Sequence, residues 1–217
     1  MKKRGLEERL GYSFVDASLL NLALTHSSFG SPNNQRLEFL GDAVLQLCIS
    51  ERLYSENPDW LEGKLTRQRA LIVQERSLHA AAVYLELSDS LTLGRGEIIS
   101  GGKLRPSILA DAVEALIGAV YLDSGLEQAK AFIGRLFSNI DSSEWQDYKT
   151  ELQEYVQGQG ASMLVYEIIS SDGPAHDVRI TSRVIIDGKE AGVGVGRSRK
   201  DAEQAAAKKA MEGLEKG

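Results

Sequence analysis

The chain has 217 residues, 42% of them hydrophobic and 26% charged, with 4 Pro and 21 Gly. These values sit near the averages for folded domains and exclude collagen-like, coiled-coil and wholly disordered chains. The net charge of −6 excludes nucleic-acid binding by bulk electrostatics, and residues 147–217 alone carry 10 Lys/Arg against 12 Asp/Glu, so any such binding must be local.

Met1-Lys2-Lys3-Arg4 has the charge of an export signal, but Leu6-Glu7-Glu8-Arg9 follows where the apolar stretch should be. The most apolar runs, Leu37 to Ile49 and Ile108 to Leu122, are broken by carboxylates and fall short of the roughly 20 residues of a membrane span. The expectation is a cytoplasmic protein with no membrane partner. Cys48, alone and in an apolar run, reads as a buried thiol rather than a redox site.

From residue 6 to about 137, apolar residues recur at three- and four-residue spacing: Leu19 to Leu24, Leu37 to Leu53, Leu65 to Leu87, Ile108 to Tyr121 and Leu126 to Phe137. Turn residues separate them at Gly30 to Asn34, Asn57-Pro58-Asp59, Gly94-Arg95-Gly96, Ser100-Gly101-Gly102 and Ser124-Gly125. This predicts an all-α domain over residues 1–140. The polar stretch 141–147 reads as a linker, and residues 148–217 as a second, smaller domain.

In that second part, Asp147 to Gln157 predicts a helix, Met163 to Ile169 a strand, and Val178 to Ile186 a strand whose apolar face is interrupted by Ser182. Asp187-Gly188 suits a type I′ hairpin turn, because both central residues there need positive φ, and Lys189 to Val195 returns as the partner strand. Ser198 is placed to cap a last helix from Arg199 to about Leu214, giving the order α-β-β-β-α. The fold class is multidomain, all-α followed by α+β.

Chemistry concentrates in the two apolar helices. Between Leu37 and Ile49 the polar side chains are Glu38, Asp42 and Gln46, at i, i+4 and i+8. Between Ile108 and Leu122 they are Asp111, Glu114 and Tyr121. Burying four such acids costs several kcal/mol each unless they are protonated, paired or metal-bound. Clustered carboxylate oxygens suit a hard cation, Mg²⁺ or Mn²⁺, able to act on a phosphoryl group. The competing reading pairs them with Arg36, Arg67 or Arg69. A di-iron redox site wants Glu-x-x-His, but Gly41 and Ile117 stand at those positions.

Gln35-Arg36-Leu37-Glu38-Phe39-Leu40-Gly41-Asp42-Ala43-Val44-Leu45 resembles the signature of bacterial ribonuclease III, and Ser107 to Asp123 resembles that family's second acidic motif. Ala23 to Ser28, Gly96-Glu97 and Ser100-Gly101-Gly102 also match. The resemblance implies a helical endonuclease domain whose acids Glu38, Asp42, Asp111 and Glu114 surround catalytic Mg²⁺, with Mn²⁺ substituting. It further implies a homodimer through that domain, cutting double-stranded RNA to 5′-phosphate and 3′-hydroxyl ends with short 3′ overhangs, in ribosomal precursor and messenger RNA processing. Gln35 stands where the family often has an acid, so that acid's role does not carry over. Glu62 matches another family acid near the dimeric cleft. His26 reads as a structural histidine rather than a catalyst.

Tyr148 to Glu154, Gly173-Pro174-Ala175-His176 and Gly194 to Ala206 resemble the three segments of a double-stranded RNA-binding domain. The resemblance implies minor-groove contacts by Gln153, Gln157 and His176, and phosphate contacts by Arg197, Ser198, Arg199 and Lys200. The physics agrees, since the free N–H groups of a helix start favour phosphate. The Gly192-Val193-Gly194-Val195-Gly196 run is no dinucleotide fingerprint, because Arg197 breaks the spacing and no βαβ unit follows; the glycines read as a close-packing device. A second reading is a non-cutting RNA-binding protein on a nuclease fold, which would have no need of a complete acid quartet.

Overall fold

The computed structural model describes residues 2–138, 147–160, 163–173 and 178–214, with side chains from Gly5 onward. The chain divides into two compact units, Met1–Glu144 and Trp145–Gly217.

The first unit is helical: α1 (Lys2–Leu10), α2 (Ala17–Ala23), α3 (Gln35–Glu56), α4 (Glu62–Val73), α5 (Glu75–Tyr84), α6 (Arg95–Ile99) and α7 (Pro106–Ser138), with short 3₁₀ turns at Ser27–Phe29, Leu87–Asp89 and Gly102–Leu104. Helix α1 begins four residues earlier than the sequence pattern indicates, since its apolar contribution, Leu6 and Leu10, lies only in its later turns. The continuous period of Leu65 to Leu87 is divided between α4 and α5, because Gln74 takes extended backbone (φ −67°, ψ 155°). The two expected segments at Ile108 and Leu126 run together as α7, kinked at Gly125 (φ 80°, ψ −176°), where a residue without a β-carbon meets no steric penalty.

Helix α7 is the axis of the core. Val113, Leu116, Ile117, Val120 and Phe132 have no measurable exposure, and α3 supplies Leu45 and Ile49 against them. The two helices cross backbone to backbone. A β-carbon on Gly41 would lie 1.8 Å from the Glu114 carbonyl oxygen, and one on Gly118 would lie 2.3 Å from the Leu37 carbonyl oxygen. Glycine at both positions permits this approach.

The second unit has α8 (Tyr148–Gly158), an antiparallel sheet in the order β1 (Leu164–Asp172), β2 (Arg179–Ile186), β3 (Lys189–Gly196), and α9 (Arg199–Leu214). Asp187 (φ 46°) and Gly188 (φ 79°) make the expected positive-φ turn. Ser182 is fully buried in β2, and its hydroxyl donates to the Glu167 carbonyl at 3.1 Å, which satisfies the polar interruption of that face. The helices pack on the sheet through Leu152, Val156, Val184, Ala206, Ala207 and Ala210. Gly192, Gly194 and Gly196 face α9, and a β-carbon on Gly194 would lie 2.1 Å from the Ala206 nitrogen. The glycine run is therefore a packing seam.

Candidate functional site

The α3/α7 crossing determines where the acids stand. Glu38 lies three residues before Gly41, and Glu114 four before Gly118, so each acid is one helical turn from the point of closest approach. Glu38, Asp111 and Glu114 each present a carboxylate oxygen within 4.8 Å of the others. Among the described residues this is the one group of three or more such side chains so arranged. Asp42 is not in it: its side chain is exposed and its Oδ1 accepts a long bond, 3.4 Å, from Gln46 Nε2.

The expectation of four core carboxylates is corrected in degree. Glu38, Asp111 and Glu114 are half-buried rather than buried, because Leu37, Gly41, Val44 and Cys48 turn to the core and the acid stripe runs along the rim of the contact. Burial, reinforced by the like charges of Asp42, Asp111 and Glu38, pushes the Glu114 carboxyl up to about 7. Burial and Asp111 raise Glu38. Burial raises Asp111, with His26 opposing and Glu75 adding to the rise.

In the helical unit Arg9 pairs with Glu86, Arg52 with Glu56, Arg105 with Glu97, and Lys130 with Glu51 and Glu127, all outside the four acids. Arg69, one of the three arginines of the competing reading, donates instead to Ser50 Oγ at 3.1 Å. Three partly desolvated carboxylates brought this close fit a hard divalent cation, whose charge would reverse the cost of bringing them together.

Of the remaining expected residues in this unit, Gln35 is exposed at the start of α3, where its N–H donates to Asn33 Oδ1. Glu62 is exposed at the start of α4 and accepts from Thr66 Oγ1 at 2.7 Å. Neither joins the cluster. His26 Nδ1 accepts from the Ser28 N–H at 3.2 Å and lies 2.8 Å from Ser28 Oγ, which caps the turn that follows. That is the structural role expected of it, though its charge also reaches Asp111. Sequence reasoning missed Gly41, Gly118 and Glu75. The glycines were legible as paired small residues one turn beyond the acids; Glu75 left no signal, since it reaches Asp111 from another helix.

In the second unit Gln153 and Gln157 are exposed at i and i+4 on α8. Arg197, Ser198, Arg199 and Lys200 are exposed at the start of α9. Ser198 Oγ accepts from the Asp201 N–H at 3.1 Å and donates to Asp201 Oδ2 at 2.7 Å, a helix cap as its position predicts. Arg199 Nε donates to Glu203 Oε1 at 2.7 Å. His176 lies outside the described residues.

A helical unit whose acids suit a hard cation, joined to an α-β-β-β-α unit with a basic helix start, defines a metal-dependent nuclease with its own nucleic-acid reader. Comparisons with known proteins specify which. Residues 16–140 match the family model Ribonuclease-III-like, and residues 148–214 match the double-stranded RNA binding motif. A Ribonuclease 3 of Pelotomaculum thermopropionicum is 50% identical over 95% of this chain and 90% of its own length. One of Anoxybacillus flavithermus is 46% identical over 97% and 93%. The solved nuclease domain of ribonuclease III from Campylobacter jejuni superposes with a TM-score of 0.60 at 47% identity, over 61% of this chain and 93% of that one.

The chain belongs to the ribonuclease III family. It is an endoribonuclease acting on double-stranded RNA. The family is metal-dependent, and this chain carries an acidic cluster able to hold an ion. No helix among the described residues is long and apolar enough to cross a membrane.

Proposed function

We propose that Glu38, Asp111 and Glu114 hold Mg²⁺, or Mn²⁺ in its place, for hydrolysis of RNA phosphodiesters, with Asp42 completing the catalytic set from the solvent side. The observation that carries this reading is the convergence of three carboxylate oxygens within 4.8 Å at a glycine-mediated crossing. A divalent cation bound there supplies Lewis acidity and neutralises charge at the scissile phosphate. The chain's own residues fix its location: Glu38 from α3 and Asp111 and Glu114 from α7 are held on rigid helices, so their spacing is set before substrate arrives. Asp42, exposed beside Glu114, is free to turn to a second cation or to a water molecule at the rim.

The helical unit, residues 1–140, works as a homodimer in this reading, with a linker over 141–147 and the RNA reader over 148–217. Support comes from α3, where Phe39 (81% exposed), Leu47 and Tyr54 line one exposed apolar face beside the acid stripe. Two sites then cut opposite strands, leaving 5′-phosphate and 3′-hydroxyl ends with short 3′ overhangs. Gln153, Gln157 and His176 read the minor groove, while Arg197, Ser198, Arg199 and Lys200 hold phosphate. Gln35 and Glu62 border the cleft. The setting is cytoplasmic processing of ribosomal precursor and messenger RNA.

The decisive experiment incubates the purified chain with a long perfect RNA duplex and Mg²⁺, then maps the product ends. Short duplexes with 5′-phosphates are expected. Intact RNA with folded, dimeric protein would overturn the assignment.

A further inference from the structure

Glu203 is the buried acid of the second unit among the described residues, 6% exposed, on the stretch of α9 that also buries Ala202, Ala206 and Ala207. Burying a lone carboxylate is costly, and an apolar side chain would pack there without the cost. Its two oxygens are divided between two helices. Oε1 accepts from Arg199 Nε on α9 at 2.7 Å, and Oε2 pairs with Lys149 Nζ on α8. The next residue repeats the tie, since Gln204 Nε2 donates to Asp147 Oδ1 at 2.7 Å and Gln204 Oε1 accepts from the Lys149 N–H at 3.3 Å.

We propose that Glu203 is a positioning residue for duplex RNA: it clamps the start of α8 to the start of α9 and orients the Arg199 guanidinium for phosphate. The Nε–H of Arg199 is spent on Glu203, which leaves the end-on edge of the planar fork, Nη1 and Nη2, for phosphate, on a side chain that is 68% exposed. Lys149 is consumed by the clamp, lying over the Tyr166 ring at 4.7 Å. A domain that reads A-form shape needs its minor-groove and phosphate elements at fixed separation, and the clamp joins the helix bearing Gln153 to the helix bearing Arg199 and Lys200. The inference rests on the proposed RNA contacts.

The test measures binding of the full chain to a duplex longer than the roughly 16 base pairs such a domain spans. It is run without divalent cation, at several salt concentrations, with thermal unfolding alongside. Glu203→Gln keeps shape but removes a negative charge, so bulk electrostatics predicts tighter binding. Positioning predicts the opposite: affinity several-fold weaker, a salt slope reduced by up to about one unit, and no further loss when Arg199→Ala is added. Arg199→Lys, on an exposed side chain, keeps the charge but not the fork and should fall close to Arg199→Ala.

If Arg199→Ala weakens binding while Glu203→Gln binds as well as the parent or better, the positioning role is overturned and the RNA contact stands. If Arg199→Ala itself has no effect, the reading of Arg199 as an RNA contact fails. Should Glu203→Gln not fold, Arg199→Lys decides, and parental affinity in that variant overturns the proposal.

Discussion

Gly41 and Gly118 meet where α3 crosses α7, close enough that a β-carbon on Gly118 would lie 3.1 Å from the Gly41 nitrogen. The separation of Glu38 from Glu114 is thus set by two residues without side chains. Gly118→Ala drives a methyl group into the Leu37 carbonyl, 2.3 Å away, and α7 must shift to admit it. The expected result is destabilisation of about 1–3 kcal/mol by denaturant titration, typical of overpacking, with a fall in kcat of tenfold or more. Duplex affinity in the absence of Mg²⁺ should stay at the parental value.

The raised carboxyl of Glu114 makes the metal-free protein sensitive to pH. A carboxyl whose folded pKa of about 7 exceeds its ordinary value of 4.5 binds more protons folded than unfolded, so stability falls as pH rises between those values and stays low above about 7. Glu38 and Asp111 shift in the same direction. Without divalent cation, the melting temperature of the helical unit should therefore be lower at pH 8 than at pH 5.5. Mg²⁺ should restore it at pH 8, with an apparent affinity that drops up to about tenfold per pH unit below 7 as protons compete.

Asp42 and Glu114 should separate in stability while agreeing in catalysis. Either Asp42→Asn or Glu114→Gln should lower the cleavage rate by about a hundredfold or more, since each removes charge from the cation's surroundings. In the metal-free protein at pH 8, Glu114→Gln should raise the melting temperature by relieving a half-buried charge, whereas exposed Asp42→Asn, which removes only its repulsion of Glu114, should raise it less. Equal stabilisation by both would place Asp42 inside the cluster.

Lys200 and Gln153 are both exposed in the second unit, yet they should differ in their response to salt. Lys200→Ala should weaken duplex binding about equally across sequences and reduce the salt slope by roughly one unit, because a phosphate contact releases counterions. Gln153→Ala should weaken binding with little change in slope, since a neutral amide releases none. Indistinguishable slopes would contradict the division of roles.

Local rules carried much of the structure. Asp187-Gly188 could be read as a hairpin turn because positive φ at two successive positions restricts the residue types, and Ser198 as a cap because a hydroxyl there reaches a free N–H. The acid stripe was legible from spacing alone. What spacing could not show was depth: Glu38 and Asp42 look equivalent on a helical wheel, but only the α7 backbone decides that one is half-buried and the other exposed. The break at Gln74 has neither Gly nor Pro to mark it, and the exposure of Phe39 depends on which surfaces remain uncovered once the core is full.

Cys48, packed 6% exposed in the core of the helical unit, is the chain's one cysteine, and burial pushes its thiol up and away from the reactive thiolate. Its modification by a thiol reagent should be slow in the folded unit and accelerate as that core opens, so the rate of labelling reports unfolding of the catalytic half, readable by mass spectrometry without any engineered probe. A second cysteine installed on the surface of the RNA reader would react at once, and the native enzyme could be tagged there without first removing Cys48.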